Sequence, residues 1–127
     1  MPLVRISVRR GTPESYRAAI AESVHKALVE TMNVPSKDRF QIVAEHDASG
    51  LVYDPSYLDV GRSDDIVVVQ ITLNAGRTVE MKKALYARMA DLLAASPGVR
   101  REDVLVSLVE VAKENWSFGN GVAQYVT

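Results

Sequence analysis

The sequence contains no cysteine. That excludes disulfides, thiol nucleophiles and thiolate metal sites together. Its only histidines are His25 and His46, so no histidine–cysteine cluster with metal-ligand spacing can be written and no metal is expected. An excess of one charge is also lacking: 15 Lys and Arg stand against 16 Asp and Glu, a net charge of −1. That offers no basic footprint for nucleic acid and none for an anionic membrane surface. No apolar run approaches the ~18 residues of a membrane span. The start also lacks the apolar core of about 7–15 residues that marks a secretory signal. A soluble cytoplasmic protein is therefore expected. Aromatic residues make up 6% of the chain, with a single tryptophan, Trp116. The rest is ordinary: 127 residues, 47% hydrophobic, suffice for one compact domain with its own core.

The chain opens Met1-Pro2-Leu3 and then alternates, with Val4, Ile6 and Val8 against Arg5, Ser7 and Arg9. This period of two predicts a strand starting at the chain end. Thr12 is the expected N-cap of a following helix, with Pro13 at its first position and Glu14 at its positive end. The helix runs to about Met32, with Tyr16, Ile20, Val24, Ala27 and Leu28 inward. Asn33-Val34-Pro35 ends it, and residues 38–46 read as a second strand. Strand, helix and strand joined this way form a parallel pair. Residues 48–65, rich in Asp, Ser, Gly and Pro, read as a connection in which Leu51-Val52-Tyr53 can pair with an edge. Ile66 to Leu73 is a third strand, and Thr78 caps a second helix with Met81, Leu85, Met89, Leu92 and Leu93 inward. Ser96-Pro97-Gly98 stops that helix, and residues 103–111 form a fourth strand. Asn120-Gly121 between apolar residues predicts a C-terminal hairpin.

The two halves superpose without a gap. Ile6 matches Ile71, and 71 − 6 = 65; the same shift pairs Gly11 with Gly76, Asp38 with Asp103 and Glu45 with Glu110. A duplicated β-α-β unit follows, giving an α+β fold: a four-stranded sheet with two helices on one face. Repeat 1 spans 2–47, the connection 48–65, repeat 2 66–112 and the hairpin 113–127. The other face of such a sheet lacks cover, and copies of the chain are expected to pack there.

Three positions invite chemical reading. Once Met1 is removed, Pro2 becomes a secondary amine held at the end of a sheet. A free α-amine has a pKa of about 7.7–8.0, and apolar walls or a nearby arginine lower it toward the range where a general base works. Arg77 sits at a helix N-terminus, where a cation is electrostatically misplaced, and its counterpart in the first half is Thr12. The fold therefore does not need an arginine there, whereas a substrate carboxylate would use its paired donors. Asp38 recurs as Asp103, and a residue kept in both halves more simply has a structural task. Glu45 and Glu110 are read the same way. His25 is read as satisfied packing, His46 as a loop residue, and Arg9, Arg10, Arg39 and Arg62 as ordinary charges.

The Met-Pro start, the turn Gly76-Arg77-Thr78-x-Glu80-x-Lys82 and the duplication together resemble the tautomerase superfamily, the group of 4-oxalocrotonate tautomerase. The double-length branch that includes malonate semialdehyde decarboxylase is the most similar. This likeness rests on Val34-Pro35-x-x-Asp38-Arg39-Phe40-Gln41-x-Val43, Gly61-Arg62-Ser63, Leu108-Val109-Glu110 and Trp116-Ser117-Phe118-Gly119-x-Gly121. It implies a tautomerase fold assembled as a homotrimer, with a cofactor-independent site at each Pro2 and a small carboxylic acid as substrate. By resemblance, Pro2, Arg77 and Asp38 are the catalytic candidates; Arg77, Asn74, Trp116 and Phe118 are the substrate-binding candidates. The decarboxylases and the related dehalogenases carry a second arginine where this chain has Asn74 or Ala75, so halide removal is not expected. The expected reaction is keto–enol tautomerisation of a small 2-oxo or 2-hydroxy-enoate acid. The alternatives are decarboxylation of a 3-oxo acid such as malonate semialdehyde, and, if Met1 stays, a non-catalytic, cytokine-like trimer.

Overall fold

A computed structural model describes residues 1–126. Its main elements are β1 (Leu3–Arg9), α1 (Glu14–Thr31), β2 (Phe40–His46), β3 (Val67–Asn74), α2 (Val79–Ala95) and β4 (Val104–Val111). The strands form one sheet in the order β2-β1-β3-β4. β1 runs parallel to β2, β3 runs parallel to β4, and the two central strands β1 and β3 are antiparallel. The duplication extends to register. Leu3 lies opposite Phe40, and 65 residues further on Val68 lies opposite Leu105.

Alternation decides which side of the sheet is buried. Val4, Ile6 and Val8 of β1 and Val67, Val69, Ile71 and Leu73 of β3 point to the helical side, each almost inaccessible to solvent. They meet Ile20, Val24, Ala27 and Leu28 of α1 and Leu85, Met89 and Leu93 of α2 in one apolar cluster, with Tyr16, Met81 and Leu92 at its margin. Burying each large aliphatic side chain contributes about 1.5–3 kcal/mol relative to leaving it in water. The opposite face carries the row Ile42, Arg5, Gln70 and Ser107 across the four strands. Beside that row, Phe40, Leu105 and Val109 are more than a third exposed.

Four local expectations need correction. Thr12 is not the N-cap of α1. Pro13 holds the extended cap conformation (φ −69°, ψ 155°) without a side-chain bond, so Thr12 lies one residue outside, and its hydroxyl accepts from Arg17 at 3.3 Å. Thr78, the counterpart of Pro13, does cap α2 by accepting from the Met81 N–H at 3.2 Å. Strands β2 and β4 begin after Asp38 and Asp103, because each aspartate closes a turn with its own N–H. Leu51-Val52-Tyr53 adds no strand. Arg9 takes the Leu51 carbonyl with Nη2 at 3.1 Å, bonds Asp64 at 2.8 Å and lies over the Tyr53 ring, pinning the connection to the sheet. Finally, the described tail residues 113–126 contain no strand pair. The Gln124 side chain instead accepts from the Phe118 N–H and donates to the Gly119 carbonyl, which closes the segment on itself.

Candidate active site

The antiparallel pairing of β1 and β3 positions the site. Leu3 lies opposite Thr72, so the start of β1 adjoins the end of β3, and Pro2, which is buried, sits at the same edge of the sheet as Asn74. Gly76 makes the sharp exit from β3 with φ at 123°, a left-handed conformation that favours glycine. The turn presents Arg77 just ahead of α2. Its Nη1 donates to the Asn74 carbonyl at 3.1 Å and its Nη2 to the Met32 carbonyl at 3.4 Å. Both acceptors are neutral, and Arg77 forms no ion pair among the described residues. A half-buried guanidinium therefore keeps an unbalanced charge beside the positive end of α2, a setting that attracts an anion.

Asp38 and Asp103 occupy matching places and do different things. Asp103 is fully buried. It accepts from the Ser63 N–H and hydroxyl at 2.7 Å each and has Arg100 at 3.5 Å. In the second half the carboxylate thus clamps the chain entering β3. At the start of β1, Asp38 Oδ2 faces the Met1 amine at 3.7 Å, while Oδ1 is buried without a partner among the described residues. Replacing Asp103 with alanine is expected to lower the unfolding free energy by about 1–3 kcal/mol, since it strands buried donors. Urea melts of the two variants provide the check: a structural Asp38 would cost as much as Asp103, whereas the contacts here give it far less to lose.

The aromatic residues of the tail close the same end. Trp116 Nε1 donates to Asn74 Oδ1 at 2.7 Å. Trp116 stacks on Phe118 with centroids 5.6 Å apart, and Tyr125 meets Phe118 edge-on at 4.9 Å. The remaining polar repeats are structural in their contacts. Glu45 pairs with Arg17 at 3.2 Å and Glu110 with Lys82 at 2.6 Å, and Arg17 and Lys82 are themselves 65 residues apart. The Lys82 ammonium holds the Glu110 carboxyl below its ordinary range, helped by the Gly76 N–H and the charge of Arg77. His25 is buried with Nε2 against the Ser36 carbonyl at 2.8 Å. His46 is the last residue of β2 rather than part of a loop, and its Nε2 is buried without a partner among the described residues.

Two family models, both described as "Tautomerase enzyme", match residues 38–119 and residues 2–60. The chain is 40% identical to the "Probable tautomerase YusQ" of Bacillus subtilis (strain 168) over 126 residues, 99% of each chain. The chain belongs to the tautomerase family. Among solved structures, this tautomerase-family chain is similar to FG41 malonate semialdehyde decarboxylase inhibited by 3-bromopropiolate, at 40% identity and a TM-score of 0.91, covering 98% of this chain and 94% of that one. It is also similar to a fused 4-OT symmetric trimer at 25% identity and a TM-score of 0.77, covering 94% of each chain. The expected α+β tautomerase fold, with two helices on one face of four strands, is the one observed. No helix of the described residues is long and apolar enough to cross a membrane.

Of the residues singled out from sequence, the fold links Asn74 directly to Arg77 and Trp116, and Trp116 to Phe118. It sets Asp38 against the chain terminus next to Pro2. Sequence reasoning missed the Met32 carbonyl under Arg77 and Tyr125 beside Phe118. Neither carries a motif, and both depend on segments that meet only in space. Two cavities of the fold lie elsewhere. One of about 500 Å³ sits at the far end of β1, lined by Arg9, Gly11, Thr12 and His46, and one of about 380 Å³ lies between Val52, Tyr57, Val68 and Leu105.

Proposed function

We propose that this tautomerase-family chain is a cofactor-independent keto–enol tautomerase acting on a small 2-oxo or 2-hydroxy-enoate acid. The observation that carries the reading is the Asp38 carboxylate at 3.7 Å from the chain-terminal amine, on a sheet edge where Arg77 has no carboxylate partner among the described residues. Removal of Met1 moves the terminal amine to Pro2. Arg77 holds the substrate carboxylate through two parallel hydrogen bonds. Pro2 takes the proton from the enol oxygen and returns it to carbon, converting enol to ketone, and Asp38 orients the amine. Asn74 contributes a neutral donor, and Trp116 and Phe118 form an apolar wall that strengthens these interactions. Copies of the chain pack through the exposed sheet face as a homotrimer, the assembly named for the fused 4-OT relative. Decarboxylation of a 3-oxo acid is the second reading, supported by the 40% identity to a malonate semialdehyde decarboxylase. In it, Arg77 and a protonated Pro2 polarise the carbonyl while Asp38 assists.

The test has two parts. Intact mass of the purified protein is expected to lack Met1; a preparation carrying Met1 throughout would favour the non-catalytic, cytokine-like trimer. Enol absorbance with phenylenolpyruvate or 2-hydroxymuconate is expected to decay faster with enzyme than without, while malonate semialdehyde releases little CO2. Rapid CO2 release with no effect on the enols would replace the first reading with the second.

A further inference from the structure

The repeat gives the sheet two matching places. At one, the start of β1 adjoins the end of β3. At the other, the start of β3 adjoins the end of β1, with Val8 opposite Val67. The cavity of about 500 Å³ lies at this second place. The 65-residue shift carries its lining onto the candidate active site: Arg9 onto Asn74, Gly11 onto Gly76, Thr12 onto Arg77 and Ile66 onto Met1. The position is repeated, but the charges are not. Where the candidate active site has the guanidinium of Arg77, the cavity has the neutral Thr12. Its own two arginines are already engaged, Arg9 with Asp64 at 2.8 Å and Arg10 with Asp47 at 3.3 Å.

Asp65 is the third carboxylate of the lining, and it forms no ion pair among the described residues. Its charge reaches Tyr16, whose phenol is raised above its ordinary pKa by burial first, then by Asp65 and Asp103. Tyr16 therefore stays protonated and neutral, with an oxygen that can accept. His46 also lines the cavity, and its Nε2 is buried without a partner among the described residues. A ring nitrogen closed off from both water and protein calls for an explanation. A donor inside the cavity supplies the missing bond once the ring turns about Cβ–Cγ.

We propose that this cavity is a second ligand site and that it takes a small organic ammonium. The Asp65 carboxylate, the Tyr16 oxygen and His46 Nε2 offer three acceptors, and a primary ammonium has three N–H donors and no acceptor. Charge sets the sign of the ligand. Two guanidinium groups against three carboxylates leave the lining with one negative charge in excess, which holds a cation and repels an anion. The volume falls within the range of small-molecule sites, about 300–1,000 Å³. A metal ion is a poorer fit, since among the described residues no group of three or more His, Asp or Glu side chains could hold one. The site does not depend on the reaction assigned to Pro2.

Titration of the 15N-labelled full chain with butylammonium, butanol and butanoate, followed by amide chemical shifts, tests this. Butylammonium is expected to give saturable shifts at Gly11, Thr12 and Asp65 while Gly76 and Arg77 stay in place. Butanol and butanoate are expected to bind there roughly 3–10-fold more weakly or not at all, the range of one net hydrogen bond. Tetramethylammonium, which has the charge but no N–H, is expected to bind more weakly than butylammonium. Asp65→Asn removes the charge at an exposed position and is expected to weaken butylammonium by the same factor with no change in Tm. A butylammonium affinity unaltered in Asp65→Asn would overturn the proposal. So would the lack of a saturable shift at the cavity, or butanol binding as tightly as butylammonium.

Discussion

Arg77→Ala is expected to reduce kcat/KM for a 2-oxo or enol acid by roughly 30- to 3,000-fold, the equivalent of about 2–5 kcal/mol for truncating one partner of a desolvated, hydrogen-bonded charge pair. The guanidinium is half-buried, bonded among the described residues only to the neutral carbonyls of Asn74 and Met32, and placed just ahead of α2. Its energetic value to the folded chain is therefore small, about 1 kcal/mol for the lost hydrogen bonds, and nearly all of the effect falls on the bound acid. Arg77→Lys keeps the charge but loses the planar fork, so it recovers only part of the loss. Steady-state kinetics on both variants, with thermal melts as control, measure this. A kcat/KM for Arg77→Ala within threefold of wild type would remove the arginine from the mechanism.

Pro2→Ala is expected to lower kcat by roughly 10²-fold, at the lower end of the 10²–10⁴ range for general acid–base catalysis. The variant still ends in an amine once Met1 is removed, so a base remains near Asp38. What it loses is the ring, which fixes the backbone at φ near −65° and aims the nitrogen lone pair. The effect should appear mainly in kcat, because the proposed mechanism gives the carboxylate to Arg77 and not to Pro2. Enol-decay assays on material shown by mass to lack Met1 decide it: tautomerase activity undiminished in this variant is incompatible with the proton transfers assigned to Pro2.

The two halves of the chain differ in how much their residues betray. Ile20 and Leu85, or Val24 and Met89, stand at matching points of two helical stripes, and the core they form needs only the 3.6-residue period and the 65-residue shift to be recognised. The N-cap at Thr78 is equally local. The cap misassigned to Thr12 shows where local reading stops, since a proline can occupy the cap position itself when its ψ is extended. The tail misleads for a related reason. Asn120-Gly121 is a turn signal, but a turn becomes a hairpin only when the flanking residues find each other, and here Gln124 and the Trp116–Phe118–Tyr125 stack use that freedom.

By itself, then, the sequence determined the two β-α-β units, the side of each strand that is buried and the placing of one arginine where a helix end has no use for it. These follow from periodicity and electrostatics within some twenty residues. Only the tertiary structure decided that β1 lies antiparallel to β3, so that Pro2 shares an edge with Asn74 and Arg77, and that Asp38 faces the terminal amine while Asp103 holds Ser63. The physical reason is that a repeat makes the two aspartates look equivalent, whereas the partner each one finds comes from a segment that meets it only in space.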